Sequence, residues 1–125
     1  MHYKELIVWQ KSTELVNEVY AITKQFPKSE VYALASQMQR SAVAIPSNIA
    51  EGHARNHTGE YVQYLGIAYA SSAELDTQII IAKSQYSLLS YQKAEHLLVE
   101  VQKMLAVLMK KLKAPASLLP LNSNL

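Results

Sequence analysis

The sequence predicts an all-α protein, an antiparallel up-down four-helix bundle with a Pro-kinked second helix. Three observations carry that expectation. Apolar residues recur at three- and four-residue steps in four separate stretches. With 3 glycines and 4 prolines, the chain has too few turn formers for a many-stranded sheet. The links between stretches are short, which sets consecutive helices antiparallel. At 125 residues, 50% hydrophobic and 18% charged, the chain has room for one packed domain and is too apolar for disorder. The bundle domain is placed at residues 1–114 and a Pro-containing C-terminal tail at 115–125.

The first helix is expected from about Glu5 to Gln25, with Leu6, Trp9, Val16, Tyr20 and Thr23 as its stripe and Leu15, Val19 and Ile22 widening it. Phe26-Pro27 ends it, because proline disfavours α conformation in the residue before it. The second starts near Ser29 as a capping hydroxyl and runs through Leu34, Met38, Ser41, Ile45 and Asn48/Ile49. Pro46 falls inside it, at a cost of about 3 kcal/mol relative to Ala in an ordinary helix. The apolar spacing continues past the proline, so one kinked helix to Ala50 or Glu51 is predicted, with Gly52 as its end.

Residues 52–59, GHARNHTG, read as the connecting loop, with His57 or Thr58 opening the third helix. That helix has the most regular pattern, Tyr61, Leu65, Ala68, Ser72, Leu75, Ile79, Ala82 and Tyr86. Ser90 is positioned to cap the fourth, whose stripe is Ala94, Leu98, Val101, Leu105, Leu108 and Leu112. The tail's Leu118, Leu119 and Leu121 have the character to lie across the bundle or a neighbour. Helices 3 and 4 carry further apolar residues, among them Tyr64, Ile67, Tyr69, Ile80, Ile81, Leu97, Met104, Val107 and Met109. Broad stripes in a monomer consume part of this surplus; a homo-oligomer, the favoured reading, gives it a second face to bury.

Several functional classes are excluded or disfavoured. There is no cysteine, hence no disulfide, thiolate nucleophile or cysteine-ligated metal. The opening MHYKELIVWQK is not a signal peptide, and no window has the roughly 20 apolar residues of a membrane span, so a cytoplasmic protein without membrane association is expected. Twelve basic and ten acidic residues give +2 overall. Residues 91–125 are the basic segment, with five lysines against two glutamates. Asp76 is the sole aspartate, and no catalytic triad or phosphate loop is legible, so no enzyme, catalytic residue or cofactor is expected. His53, His57 and Glu60 would have ligand-like spacing on a continuous helix, but Gly52 and the loop composition interrupt it, and no metal site is assigned.

The most distinctive text is QMQRSAVAIPSNIAEGHAR, Gln37 to Arg55. Asn48, Glu51 and Arg55 fall at three- and four-residue steps and form a candidate polar network that fixes helix register, or a binding patch. The candidate nucleic-acid contacts are Arg40 and Arg55 here, with Lys110, Lys111 and Lys113 near the end of helix 4. Each has a plainer alternative: the arginines as partners of helix carboxylates, the lysines as solvating charges that complement the helix dipole.

Together with LIVWQK at 6–11, VYAITKQFP at 19–27 and YLGIAYASSAELDTQ at 64–78, this segment resembles the bacterial family called four helix bundle proteins, also known as proteins encoded in 23S rRNA intervening sequences. The resemblance covers roughly residues 3–112. It implies a four-helix fold commonly assembled as a ring-shaped homopentamer. It also implies kinship with accessory subunits of diversity-generating retroelements, in which such a barrel binds a reverse transcriptase and engages RNA or DNA. Arg40, Asn48, Glu51, Gly52 and Arg55 match the family pattern, and Glu74 keeps an acidic position. Gln39 stands where arginine is frequent, which removes one potential phosphate contact; Ser41, Ala44 and Ala70 also depart from the usual residues. The resulting expectation is a non-enzymatic homo-oligomeric structural or interaction protein, with RNA or DNA accessory binding, and a reverse transcriptase partner, as the alternative.

Overall fold

The computed structural model describes residues 1–114. The C-terminal segment with Leu118, Leu119 and Leu121 lies outside the described residues. Four helices, α1 (Ile7–Thr23), α2 (Leu34–Ala54), α3 (Thr58–Gln85) and α4 (Gln92–Lys113), are preceded and joined by 3-10 turns at Tyr3–Glu5 and Lys28–Glu30. Each helix packs on its neighbours in sequence, and α4 closes the ring against α1. Two ion pairs show the direction of that closure. Lys11 of α1 meets Glu100 of α4 at 3.6 Å, and Glu18, further along α1, meets the earlier Lys93 of α4 at 3.5 Å. Advancing on one helix means retreating on the other, so the pair is antiparallel.

The core is a column of fully buried side chains that includes Leu15 and Val19, Met38, Ile45 and Ile49, Leu65, Leu75 and Ile79, and Val101 and Leu105. A large side chain so placed stabilises the fold by about 1.5–3 kcal/mol relative to exposure. On α3 the predicted stripe is buried from Tyr61 to Ala82, and only Tyr86, at the helix end, is half-buried. On α4 the stripe is buried from Ala94 to Leu105, while Leu108 and Leu112 pack at its margin.

α1 corrects the expectation. Its seam is Val8, Ser12, Leu15, Val19, Ile22 and Thr23, whereas Trp9 and Val16 flank it and Tyr20 is exposed. The residues read as widening the stripe are its centre. Ser12 is polar by type, but its Oγ donates to the Trp9 carbonyl at 2.8 Å, so its burial leaves no hydroxyl unsatisfied.

The start of α2 also differs, because the helix begins at Leu34 rather than Ser29. Pro27 leads into a 3-10 turn in which Ser29 makes no cap. The turn is held down instead: the Tyr86 hydroxyl donates to Glu30 Oε2 at 2.6 Å, and Phe26 is buried with its ring 4.8 Å from that of Tyr86. That hydrogen bond to a carboxylate is the main cause raising the Tyr86 phenol above its ordinary pKa. Ser90 likewise does not cap α4. Its N-cap is Tyr91, whose hydroxyl donates back to the carbonyls of Ala82 and Tyr86 at the end of α3.

The expectation that Gly52 ends α2 is overturned, since the helix continues through Pro46 and Gly52 to Ala54 and the loop shrinks to residues 55–57. Gly52 is needed for a different reason. A Cβ there would stand 2.7 Å from Tyr64 Cβ and 3.2 Å from the Tyr61 carbonyl oxygen. The glycine is where α2 and α3 approach too closely for any side chain. Gly66, midway along α3, has nothing within 4 Å of a Cβ from its own chain.

Gly52→Ala is therefore expected to destabilise, although Ala normally improves a helix interior by about 1 kcal/mol. Overpacking against a backbone oxygen and Tyr64 Cβ costs about 1–3 kcal/mol, so a net loss of up to about 2 kcal/mol is predicted in urea unfolding. A midpoint at or above wild type would mean that α2 and α3 do not need this approach.

Candidate functional site

On the outer side of α2, Gln37, Arg40, Ser41 and Ala44 share a face at helical spacing, and Glu74 and Gln78 of α3 face them one turn apart. Together they line a groove of about 440 Å³. Ser41 is buried, and its Oγ donates across the groove to Glu74 Oε1 at 3.2 Å, tying the two helices. Gln78 is only 7% exposed, and its Oε1 is buried without a hydrogen-bond partner. Among the described residues Arg40 is exposed and has neither hydrogen bond nor ion pair. Sequence reasoning singled out Arg40 and Glu74 but missed Gln37 and Gln78. The four-residue step from Glu74 to Gln78 was the available signal.

Gln39 turns to the other flank of α2, where its Nε2 donates to Thr23 Oγ1 at 3.0 Å. The position at which an arginine is frequent thus holds α2 to the end of α1. A second shallow groove, lined by Tyr20, Ser36, Gln39, Arg40, Val43 and Ala44, leaves Arg40 on the ridge between two depressions.

The expected network of Asn48, Glu51 and Arg55 divides. Asn48 Nδ2 donates to the Ala44 carbonyl at 2.7 Å, within its own helix and bracketing Pro46, which lies two residues from each. It contacts neither of the other two through a hydrogen bond. Arg55 Nη2 donates to Glu51 Oε1 at 2.9 Å and to the Tyr64 hydroxyl at 2.9 Å, and the guanidinium lies 5.1 Å from the Tyr64 ring centroid. Arg55 is the member that crosses to α3, and it does so within reach of Gly52. The pair is solvent-exposed, so the ion pair contributes little to stability.

The antiparallel order places the C-terminal ends of α2 and α4 at the same end of the bundle. Arg55, Lys110, Lys111 and Lys113 are thus brought to one end, all exposed. Arg40 stands apart, about 22 Å back along α2 at 1.5 Å per residue. Lys110 and Lys113 also line a groove with Tyr69, Ala106, Met109 and Ala114.

The histidines near this end do different jobs. His57 caps α3, its Nδ1 accepting from the Glu60 amide at 3.3 Å. His53 lies within α2, edge-on to Tyr61 at 5.6 Å between centroids. Tyr61 is itself buried, its hydroxyl has no protein partner, and burial raises its pKa. Among the described residues no three His, Cys, Asp or Glu side chains gather as a metal site.

Burial, followed by the positive charges of the N-terminus and His2, holds the His53 imidazole below its ordinary pKa. The unfolded chain therefore takes up this proton first. The stability contributed by neutral His53 is full above about 6.5 and is lost as pH falls from there through the lowered folded value. Thermal unfolding from about pH 7.5 to 5 should show a falling midpoint with a smaller fall in His53→Gln. Identical pH dependence in the two proteins would remove His53 from the account.

Asn48→Ala exchanges one local hydrogen bond, about 1 kcal/mol, for a better helix former, about 0.6 kcal/mol. Its urea unfolding should thus stay within about 1 kcal/mol of wild type. A loss above about 2 kcal/mol would assign Asn48 a partner on another helix.

Comparison with known proteins agrees with this architecture. A crystal structure, at 1.70 Å resolution, of a protein with unknown function from the S23 ribosomal protein family of Bacteroides thetaiotaomicron VPI-5482 superposes with a TM-score of 0.72 at 19% sequence identity. The match covers 83% of this chain and 99% of that one, and at such identity it shows the fold. No protein with a curated description matches significantly. No described helix is long and apolar enough to cross a membrane. The family of 23S rRNA-intervening sequence proteins matches residues 4–110, nearly the whole bundle, and the chain belongs to that family.

Proposed function

We propose that the protein is a non-enzymatic homo-oligomer acting as a structural or interaction scaffold, with the outer face of α3 as its self-association surface. One observation carries the reading. Opposite the buried stripe of α3 lies a row of small residues, Gly66, Ala70, Ala73 and Thr77, at the spacing of one helix face. It is bordered by exposed Ile67, Tyr69, Ile80 and Ile81, with Ile80 61% accessible. A helix apolar on both faces belongs inside a packed structure, and the small row gives a neighbouring helix room to approach. A second copy supplies matching apolar groups from its own surface, including Val43, Val99 and Val107. The family resemblance suggests five copies in a ring.

Light scattering at low micromolar concentration should give several times the chain mass of 14.0 kDa. Ile80→Asp combined with Ile81→Lys should reduce the mass toward one chain with helical content retained. A wild-type mass of one chain would contradict assembly, and an unchanged mass in the double variant would contradict this face.

A second reading, accessory binding of RNA or DNA in a complex with a reverse transcriptase, is favoured by the convergence of Arg55, Lys110, Lys111 and Lys113 at one end of the bundle. A ring would repeat that modest patch on one rim and let several copies hold one phosphate backbone. Binding would then be insensitive to base sequence and would weaken as salt rises, because neutralised phosphates release counterions. In titrations of structured RNA and DNA at about 50 and 200 mM salt, replacing the three lysines by Gln should lower affinity and flatten the salt slope without changing mass. No binding at the lower salt, or an unchanged slope, would reject the patch.

A further inference from the structure

We propose that the outer face of α3 on one copy docks on the outer face of α4 on the next, a head-to-tail contact between two different surfaces of the same chain. The inference rests on the reading of α3 as the self-association surface and names the face it meets. Charge decides the choice. α3 carries Glu60, Glu74, Asp76 and Lys83, and its one lysine is held by Glu95 of α4 at 3.0 Å. α4 carries five lysines and two glutamates, and both glutamates are engaged, Glu95 by Lys83 and Glu100 by Lys11. Lys93 is held by Glu18 of α1. Among the described residues, the charge left on α3 after these pairs is all negative. The charge left on α4 is all positive, on Lys103, Lys110, Lys111 and Lys113.

The same side of α4 is also apolar. Val99, Lys103, Ala106 and Lys110 follow one another at helical steps away from the core, with Val107 beside them. Val99 is 47% and Val107 54% accessible. The other helices fit less well. A two-fold contact of α3 with α3, centred on the row from Ile67 to Ile81, sets Glu74 and Asp76 near their own copies, where like charges repel. α1 is left with Glu14, of the same sign as α3. α2 offers one free cation, Arg40, and one exposed valine, Val43.

Contacts inside the chain supply the register. Lys83 meets Glu95, and Ser72 meets Gln102, so α4 descends as α3 rises, with Val99 level with Thr77 between those two contacts. Rotation about an axis along the bundle leaves these levels unchanged, so the same turns face each other between copies. Lys103 then comes within about one turn of Glu74 and Asp76, a distance its side chain spans. α3 and α4 are neighbours in the bundle, so successive contacts turn a corner and close into a ring instead of growing a filament.

The sequence has no cysteine, so single thiols can be placed at will. Chains with Thr77→Cys mixed with chains with Val99→Cys should yield a covalent dimer on treatment with a short bismaleimide. Neither variant alone should crosslink, and Thr77→Cys mixed with Val43→Cys should not. In light scattering on dilution, Lys103→Glu should weaken assembly by about ten-fold or more, and adding Asp76→Lys should recover much of the loss, with circular dichroism confirming the fold. A wild-type mass of one chain would contradict the self-association reading and this inference with it. Wild-type assembly in which Thr77→Cys crosslinks to itself, or to Val43→Cys rather than Val99→Cys, would leave the α3 surface standing and overturn the choice of α4. So would assembly indifferent to Lys103→Glu, or a loss that Asp76→Lys leaves in full.

Discussion

The close approach of α2 and α3 at Gly52 is the constraint on which the rest of the structure depends. The two helices share the most extensive contact in the bundle and are joined by only three residues. Tyr64 Cβ and the Tyr61 backbone occupy the space a side chain would need. Such proximity at one end fixes the pairing further along, where Ser41 meets Glu74. It also fixes the outer groove holding Arg40 and Gln78, and presents the small-residue row of α3 to the exterior. The outer α2–α3 groove and the proposed association surface are consequences of one packing event.

Around that pair, the polar groups inside the bundle are satisfied by short local bonds or by single crossings. Ser12 and Ser72 donate to carbonyls one turn back on their own helices, and Gln102 of α4 reaches Ser72 at 3.1 Å. Gln39 to Thr23 joins α2 to α1, while Tyr91 closes the carbonyl end of α3. Hydroxyls so placed allow small residues in the seam, and small residues allow close helices. Gln78 Oε1 and the Tyr61 hydroxyl stand outside this rule, as buried side-chain atoms without protein partners.

The fold was legible because periodicity reports burial directly. The α3 stripe could be written down from sequence because strong apolar residues alternate with small ones at regular steps. α1 was harder: two stripes lie one residue apart, and the true seam contains Ser12, whose internal hydrogen bond is invisible to a polarity scale. Gly52 was misread because a glycine that opens a polar run, here GHARNHTG, resembles a helix end, and only the facing helix shows that its missing Cβ is needed in mid-packing. Ser29 fitted a cap by type, but the pull of Phe26, Glu30 and Tyr86 on the preceding turn is a tertiary effect. In the candidate groove, Arg40 and Glu74 were visible through the family resemblance. Gln78 was not, because what distinguishes it is an unmet hydrogen bond, which no residue type announces.

Native-state hydrogen exchange tests the central claim most directly, since it ranks local stability along the chain. If the α2–α3 pair anchors the bundle, the slowest amides will be those of the buried stretches Met38–Ile49 and Leu65–Ile79. The last turn of α4, packed only at its margin, will exchange fastest among the helical amides. Protection in α1 or α4 equal to or above that of α2 and α3 would contradict the account.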